Sequence, residues 1–300
     1  MRIAVLITAF GLPSQLDLLV DRLCRDFDVF LHADLRFAYG TQHPRLFRTQ
    51  ASYKSEWGSY EQILSILELY RAAQRKGPYD RYVLISGQDL PCVSNAELIS
   101  FFSAHPETEF VHGWDINVDK WNGDGRDKMR LFWFRYDKNL SKRKVIRLML
   151  RLRRRTLHLL EEAIHRFQKA FGLFRPFGLP MYVGSNWMDL TGECVDYILR
   201  FVVDNPKYLP RFKHTRCGVE VFFHTIIFNS RFRERLIETP NRYADFASGP
   251  ERPRALRSGD EEAVLSSGMI FARKFDERVD AEVIKAIYAR TEGIVPHGPR

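Results

Sequence analysis

From Arg2 to Phe10 the chain is almost unbroken apolar sequence, Ile3-Ala4-Val5-Leu6-Ile7-Thr8-Ala9 at its heart. A strand with one wet face alternates polar and apolar residues. A continuous run instead predicts a strand buried on both faces, as in a parallel sheet. Gly11-Leu12-Pro13-Ser14 breaks the run, and Ser14 is placed to cap a helix reaching about Arg25, with Leu16, Leu18, Leu19 and Leu23 on its apolar face. A second strand from Asp28 to Leu31 ends at His32-Ala33-Asp34. Strand, helix and strand in so short a span form a βαβ unit.

The pattern continues. Ser59 opens a helix with Ile63, Leu64, Ile66, Leu67, Leu69 and Tyr70 at helical spacing, ending before Gly77-Pro78. A strand at 82–85 follows, then Ser94-Asn95-Ala96-Glu97 as a capping box for a helix over 95–104. This alternation predicts a layered α/β sheet. Ser86-Gly87-Gln88-Asp89-Leu90-Pro91 lies where open α/β sheets place ligands, beyond the carboxyl ends of their strands. Gly87 would let the backbone approach a ligand, Asp89 would accept from hydroxyls, and Pro91 would end the strand. The plainer alternative is a turn capped by Asp89. No GxGxxG follows the first strand and no P-loop exists, so dinucleotide and P-loop readings lack local support.

At 300 residues and 45% hydrophobic content the chain can bury a large core, as one domain or two closely joined. Its net charge of +9 favours anionic neighbours, whether nucleotide sugar, acidic glycan, anionic lipid or nucleic acid. Residues 1–10 enter a strand at once, so no leader is expected, and no apolar run is long enough to span a membrane. Cys24, Cys92, Cys194 and Cys217 lack metal-ligand spacing and read as the reduced thiols of a cytosolic protein.

Residues 110–138 mix rings with charge: Trp114, Asp115, Asp119, Trp121, Asp124, Arg130, Trp133, Arg135 and Tyr136. Rings that stack on sugar C–H faces beside carboxylates that take hydroxyls suit a glycan; an irregular packed loop is the alternative. Asn139 to Phe171 combines a dense run of cations, Lys142 to Arg155, with apolar residues at helical spacing. Such a basic amphipathic helix, or pair of helices, predicts docking on an anionic membrane or a partner; a solvated basic face is the alternative. Flanking base-stacking aromatics are missing, so no nucleic-acid role is expected. The sheet pattern resumes at Met181-Tyr182-Val183, a helix follows over Glu193–Val203, and Cys217-Gly218 opens another carrying Glu220, Phe222, Phe223, His224 and Ile227.

Six segments stand in one order: His32-Ala33-Asp34, Trp57-Gly58-Ser59, Ser86-Gly87-Gln88-Asp89-Leu90-Pro91, Gly184-Ser185-Asn186-Trp187, Glu220-Val221-Phe222-Phe223-His224-Thr225 and Phe271-Ala272-Arg273-Lys274-Phe275-Asp276. Together they resemble the core-2/I-branching β-1,6-N-acetylglucosaminyltransferase family, which also contains the peptide O-xylosyltransferases, from about residue 3 to about residue 276. The resemblance implies a GT-A-like three-layer α/β sheet in a single domain. Residues 1–110 would be its nucleotide-binding half, 139–172 a basic helical insertion and 181–300 the acceptor and catalytic half.

It further implies an inverting, metal-independent transfer of N-acetylglucosamine or xylose from a UDP-sugar to a glycan hydroxyl, with no cofactor. The acceptor would be a glycan or lipid-linked glycan of cell-surface polysaccharide synthesis, met in the cytoplasm or on the inner face of the plasma membrane. Glu220 takes the place of the catalytic base, although Val219 stands where the family usually has aspartate. Lys274 takes the place of the diphosphate-binding lysine, and its partner is Arg254 or Arg252, with Arg254 preferred because it begins the strand-like Arg254-Ala255-Leu256. His32, Asp34, Trp57, Gly58, Ser86, Gly87 and Asp89 fall on the nucleotide side; Trp114, Asp115, Ser185 and Trp187 fall on the acceptor side. Asp115-Ile116-Asn117 and Asp119 do not form a metal-holding Asp-x-Asp pair after a strand, and His224 lacks the partners of a metal site. Arginines and lysines near the C-terminus can supply the positive charge instead. A non-catalytic glycan- or lipid-binding protein on the same fold is the alternative.

Overall fold

A computed structural model describes residues 1–118, 125–133, 144–247 and 252–292, with side chains omitted at 144–155 and 157. Its strands are β1 (Ile3–Ala9), β2 (Asp28–Ala33), β3 (Leu46–Arg48), β4 (Arg81–Ser86), β5 (Asp89–Pro91), β6 (Glu109–Asp115), β7 (Tyr182–Thr191), β8 (Leu236–Ile237), β9 (Arg242–Ala244) and β10 (Phe271–Arg273). The helices are α1 (Pro13–Leu23), α2 (Tyr60–Lys76), α3 (Asn95–Ser103), α4 (Gly125–Arg130), α5 (Lys144–Ala170), α6 (Gly192–Asp204), α7 (Tyr208–Arg211), α8 (Val219–Phe228), α9 (Glu261–Leu265) and α10 (Glu282–Glu292).

A seven-stranded sheet runs in the order β3-β2-β1-β4-β7-β6-β8, and a small sheet runs β5-β10-β9. The first four strands are parallel, while β7 runs antiparallel to both β4 and β6. Side chains of a strand alternate faces, and the unbroken apolar runs serve both. Ile3, Val5 and Ile7 join Val29, Leu31, Val83 and Ile85 in a core with residues of α1, α3 and α10. Ala4 and Leu6 join Phe30, Tyr82 and Leu84 in a second core with residues of α2, α6 and α8. The result is the expected α/β architecture of helices on both faces of a sheet.

The capping box at Ser94 is present, with the hydroxyl accepting from the Glu97 amide and the Glu97 carboxylate accepting from the Ser94 amide. Ser14, by contrast, does not cap α1; the helix starts one residue earlier at Pro13, behind Leu12 in a left-handed conformation. Proline at a first helical position needs no amide hydrogen and carries the right φ already. Pro91 is the last residue of β5, a short separate strand that the sequence did not separate from β4, and Arg254-Ala255-Leu256 forms no strand. Tyr182-Val183, after Met181, proves to be the beginning of a longer strand that runs through Gly184-Ser185-Asn186-Trp187 to Thr191. The basic segment is one helix from Lys144 to Ala170; Asp119, Trp121, Asp124, Arg135, Tyr136, Lys142 and Arg143 lie outside the described residues.

A buried ion pair locks the two sheets together. Arg242 on β9 donates two hydrogen bonds of 2.5 and 2.6 Å to Asp189 on β7 and a third to the Leu84 carbonyl of β4. Neither charged group meets water. All four cysteines are buried, and none is in a disulfide. Among the described residues no helix is long and apolar enough to cross a membrane.

Candidate active site

A cleft of about 50 Å³ opens at the carboxyl ends of β1 and β2. Thr8, Ala9 and Phe10 from the end of β1, with His32 and Asp34 from the end of β2, form one side. Asn186 and Trp187 from β7 face them, and Val219, the first residue of α8, closes the wall next to Glu220. A parallel sheet leaves such a crevice because its connections rise away from the strand ends.

His32 is buried, and its Nε2 accepts from the Tyr53 amide at 3.1 Å. Burial pushes its pKa down, so the imidazole is neutral near pH 7. Asp34 is almost fully enclosed. Oδ1 accepts from the Arg36 amide and Nε, and Oδ2 accepts from Arg36 Nη2 and the Ser55 amide. Burial alone would raise the carboxyl pKa, but these hydrogen bonds from Arg36 and Ser55 hold it below the ordinary carboxylate range. Both oxygens are therefore already engaged, so a ribose hydroxyl must share them.

Ser86, Gly87 and Asp89 do not line the cleft. The Gly87 amide donates to Thr8, its carbonyl accepts from Gln15, and Asp89 accepts from the Ser86 amide. Asp89 acts at a distance instead: its carboxylate pairs with Arg273 Nε at 2.9 Å, and the Arg273 guanidinium lies 4.2 Å from the centre of the Trp187 ring. The predicted hydroxyl acceptor is thus an anchor for the cleft wall.

Glu220 sits half-buried in the first turn of α8, its amide donating to the Cys217 carbonyl. Gly58 holds this helix start in place, because its carbonyl accepts from the Cys217 amide at 2.9 Å. Gly58 has φ +74°, and a Cβ there would come 3.0 Å from Cys217 Sγ. Both the backbone conformation and the close approach favour glycine at this position. His224, one turn on, is buried against the Gly113–Gly184 pairing of β6 and β7 with both ring nitrogens facing backbone and no regular hydrogen bond. Burial pushes its pKa to about 4. A Cβ at Gly184 would lie 2.6 Å from its Nε2 and 2.0 Å from the His112 carbonyl, which explains a glycine inside β7.

Lys274 follows Arg273 and is half-buried. Burial first, then the charges of Arg273 and Arg252, lower its pKa. Arg252 is exposed and stacks over Trp57, with 5.1 Å between guanidinium carbon and ring centre. Arg254 is bracketed by carboxylates: Nε donates to Asp245 at 2.6 Å, and both terminal nitrogens donate to Asp260 at 2.7 Å. Of the two arginines, Arg252 has the freer charge.

On the expected acceptor side only Trp187 lines the cleft. Ser185 Oγ accepts from the Trp187 amide, Trp114 packs against the core beside His112, and Asp115 accepts from Asn117. Sequence reasoning missed Ser55, Gln62, Ser65 and Asn186, all lining residues. Asn186 is the most informative, since its side-chain oxygen is buried without a hydrogen-bond partner. A buried lone acceptor costs about 1–3 kcal/mol and invites a donor. Its place in the Gly184-Ser185-Asn186-Trp187 segment is the signal the sequence carries for it. Among the described residues no three His, Cys, Asp or Glu side chains converge as a metal site would need.

The Core-2/I-Branching enzyme family profile matches residues 25–264. Mouse xylosyltransferase 1 is 21% identical over 91% of this chain and 28% of its own length, and human xylosyltransferase 2 is 23% identical over 81% and 27%. The Arabidopsis thaliana β-glucuronosyltransferase GlcAT14B is 28% identical over 41% of this chain and 30% of its own. The chain thus spans less than a third of these relatives. A solved putative glucose-1-phosphate thymidylyltransferase from Bacillus anthracis, 13% identical, covers 66% of this chain and 74% of its own with a TM-score of 0.26, too slight a likeness to bear on function. The chain belongs to the Core-2/I-Branching enzyme family.

Proposed function

We propose that the protein transfers a sugar, N-acetylglucosamine or xylose, from a UDP-sugar to a hydroxyl of a glycan acceptor, with inversion and without a metal ion. The carrying observation is a strand-end cleft walled by Val219 beside Glu220, whose helix start is tied through Cys217 and Gly58 to Trp57 and so to Arg252, the cation that acts on Lys274. Names of the relatives support xylose as one donor, and the family's description supports a branching sugar as the other.

In this reading the nucleotide enters beside His32 and Asp34, where the narrow cleft admits only its deepest group. Glu220 removes the acceptor's hydroxyl proton as that oxygen attacks the anomeric carbon. The bond from that carbon to the diphosphate breaks with its electron pair going to the phosphate oxygen. Lys274 and Arg252 balance the charge that develops there, in place of a metal. UDP leaves, and the proton stays on Glu220 until water takes it. Incubation with UDP-N-acetylglucosamine or UDP-xylose in excess chelator tests the reading. UDP should be released from at least one donor in proportion to added acceptor. Silence toward both, or activity only with divalent metal, would contradict it.

The same reading places the enzyme against an anionic membrane carrying a lipid-linked acceptor. Support comes from the basic run Lys142–Arg155 and from exposed Leu160 and Phe167 downstream on α5, seven residues apart and so near one face. Each cation near an anionic leaflet contributes roughly 1 kcal/mol. Flotation with phosphatidylserine vesicles at low salt should carry the protein, and replacing Arg151, Arg153, Arg154 and Arg155 by Gln should release it. Wild-type protein that ignores such vesicles would remove the membrane from the proposal.

A further inference from the structure

From Arg252 to Trp133, which meets His165 on α5, arginines and indoles alternate across the surface. Arg252 stacks on Trp57; Arg216 lies 5.9 Å from the same ring and 5.3 Å from that of Trp133. Trp133 in turn packs edge-on to His165 at 4.6 Å. Arg216 and Arg252 are exposed, Trp57 is 42% exposed, and neither guanidinium has an ion-pair partner among the described residues. An arginine stacked on a ring uses its face, which leaves the N–H edge free for a carboxylate in bidentate geometry. The part of the Trp57 indole that the guanidiniums leave exposed is the kind of surface that packs on sugar C–H groups.

This track leads to the proposed base. Trp57 precedes Gly58, whose carbonyl holds the Cys217 amide, and the Cys217 carbonyl holds the amide of Glu220. Arg216 immediately precedes Cys217, so the track and the carboxylate share one rigid stretch of backbone. Resting on the glycosyltransferase reading and naming its acceptor class, we propose that Trp57, Arg216 and Trp133, beginning beside the diphosphate-facing Arg252, form a subsite for an anionic glycan bearing uronic acid carboxylates. Stacked indoles between the cations favour a sugar chain over an acidic peptide or a lipid headgroup.

Two hexasaccharides separate charge from shape: one of alternating glucuronate and N-acetylglucosamine, the other of uncharged N-acetylglucosamine alone. Titrated against the full chain and followed by tryptophan fluorescence, the charged one should bind about tenfold tighter, with an advantage that fades as salt rises. Arg216→Gln should weaken it about three- to tenfold, with Arg216→Lys between, since lysine keeps the charge without the fork. UDP affinity should be unchanged in both variants, which checks that they fold. Equal binding of the two hexasaccharides, untouched by Arg216→Gln, would overturn the proposal. Tighter binding of hexaglutamate with the same dependence on Arg216 would overturn it in favour of an acidic peptide. If UDP binds and neither sugar does, the acceptor class alone is wrong; if UDP also fails to bind, the transferase reading falls and this inference with it.

Discussion

Glu220→Gln is expected to abolish sugar transfer while UDP binds almost as before. The amide keeps the shape of the carboxylate but cannot accept a proton from an attacking hydroxyl. Loss of a general base typically costs about 100- to 10,000-fold in rate. UDP should be indifferent because the helix start is fixed by backbone, through Gly58, Cys217 and the Glu220 amide, and not by the carboxylate alone. Progress curves for the variant and wild type at saturating donor, beside UDP titrations of both, make the comparison. Near-normal turnover in the variant would remove Glu220 from the mechanism.

Lys274→Ala should weaken UDP by about 1.5–3 kcal/mol, the usual worth of a hydrogen bond to a charged group, and leave uridine nearly unaffected. The ammonium is half-buried beside two arginines, and burial followed by their repulsion lowers its pKa. A bound diphosphate relieves that repulsion. Deprotonation removes the contact, so UDP affinity should fall with rising pH earlier than free lysine would dictate. Arg252→Ala should follow the same pattern, whereas Arg254→Ala should spare UDP, because Asp245 and Asp260 already hold that guanidinium. Equal losses for UDP and uridine in Lys274→Ala would give the lysine a structural role.

The layered sheet was legible because apolar runs at Ile3–Ala9 and Arg81–Ser86 leave no wet face, which only a doubly covered strand tolerates. Strand β7 was half hidden, since Gly184-Ser185-Asn186 has low strand propensity. What overrides propensity there is tertiary: His224 and the His112 carbonyl leave no room for a side chain at position 184. The site followed the same division. His32, Asp34 and Trp187 sit at predicted strand ends and do line the cleft. Asp89 was misplaced because its partner Arg273 is distant in sequence, and nothing local distinguishes a ligand-facing carboxylate from one that anchors an arginine. Asn186 escaped for a related reason, as an unsatisfied side-chain oxygen is a property of the folded surroundings and not of the residue. The alternation of Arg252, Trp57, Arg216 and Trp133 is likewise assembled from segments far apart in the chain.

The central claim is that fixed side-chain cations, with no metal, hold the diphosphate of a UDP-sugar beside Glu220. Calorimetric titration of the wild-type protein with UDP and with uridine, each in excess chelator and again with added divalent cation, addresses it most directly. UDP should bind at least about tenfold tighter than uridine, the margin expected of a charged hydrogen bond, and with the same affinity in chelator and in metal. Absence of UDP binding, equal affinity for the two ligands, or binding that appears only when divalent cation is supplied would contradict it.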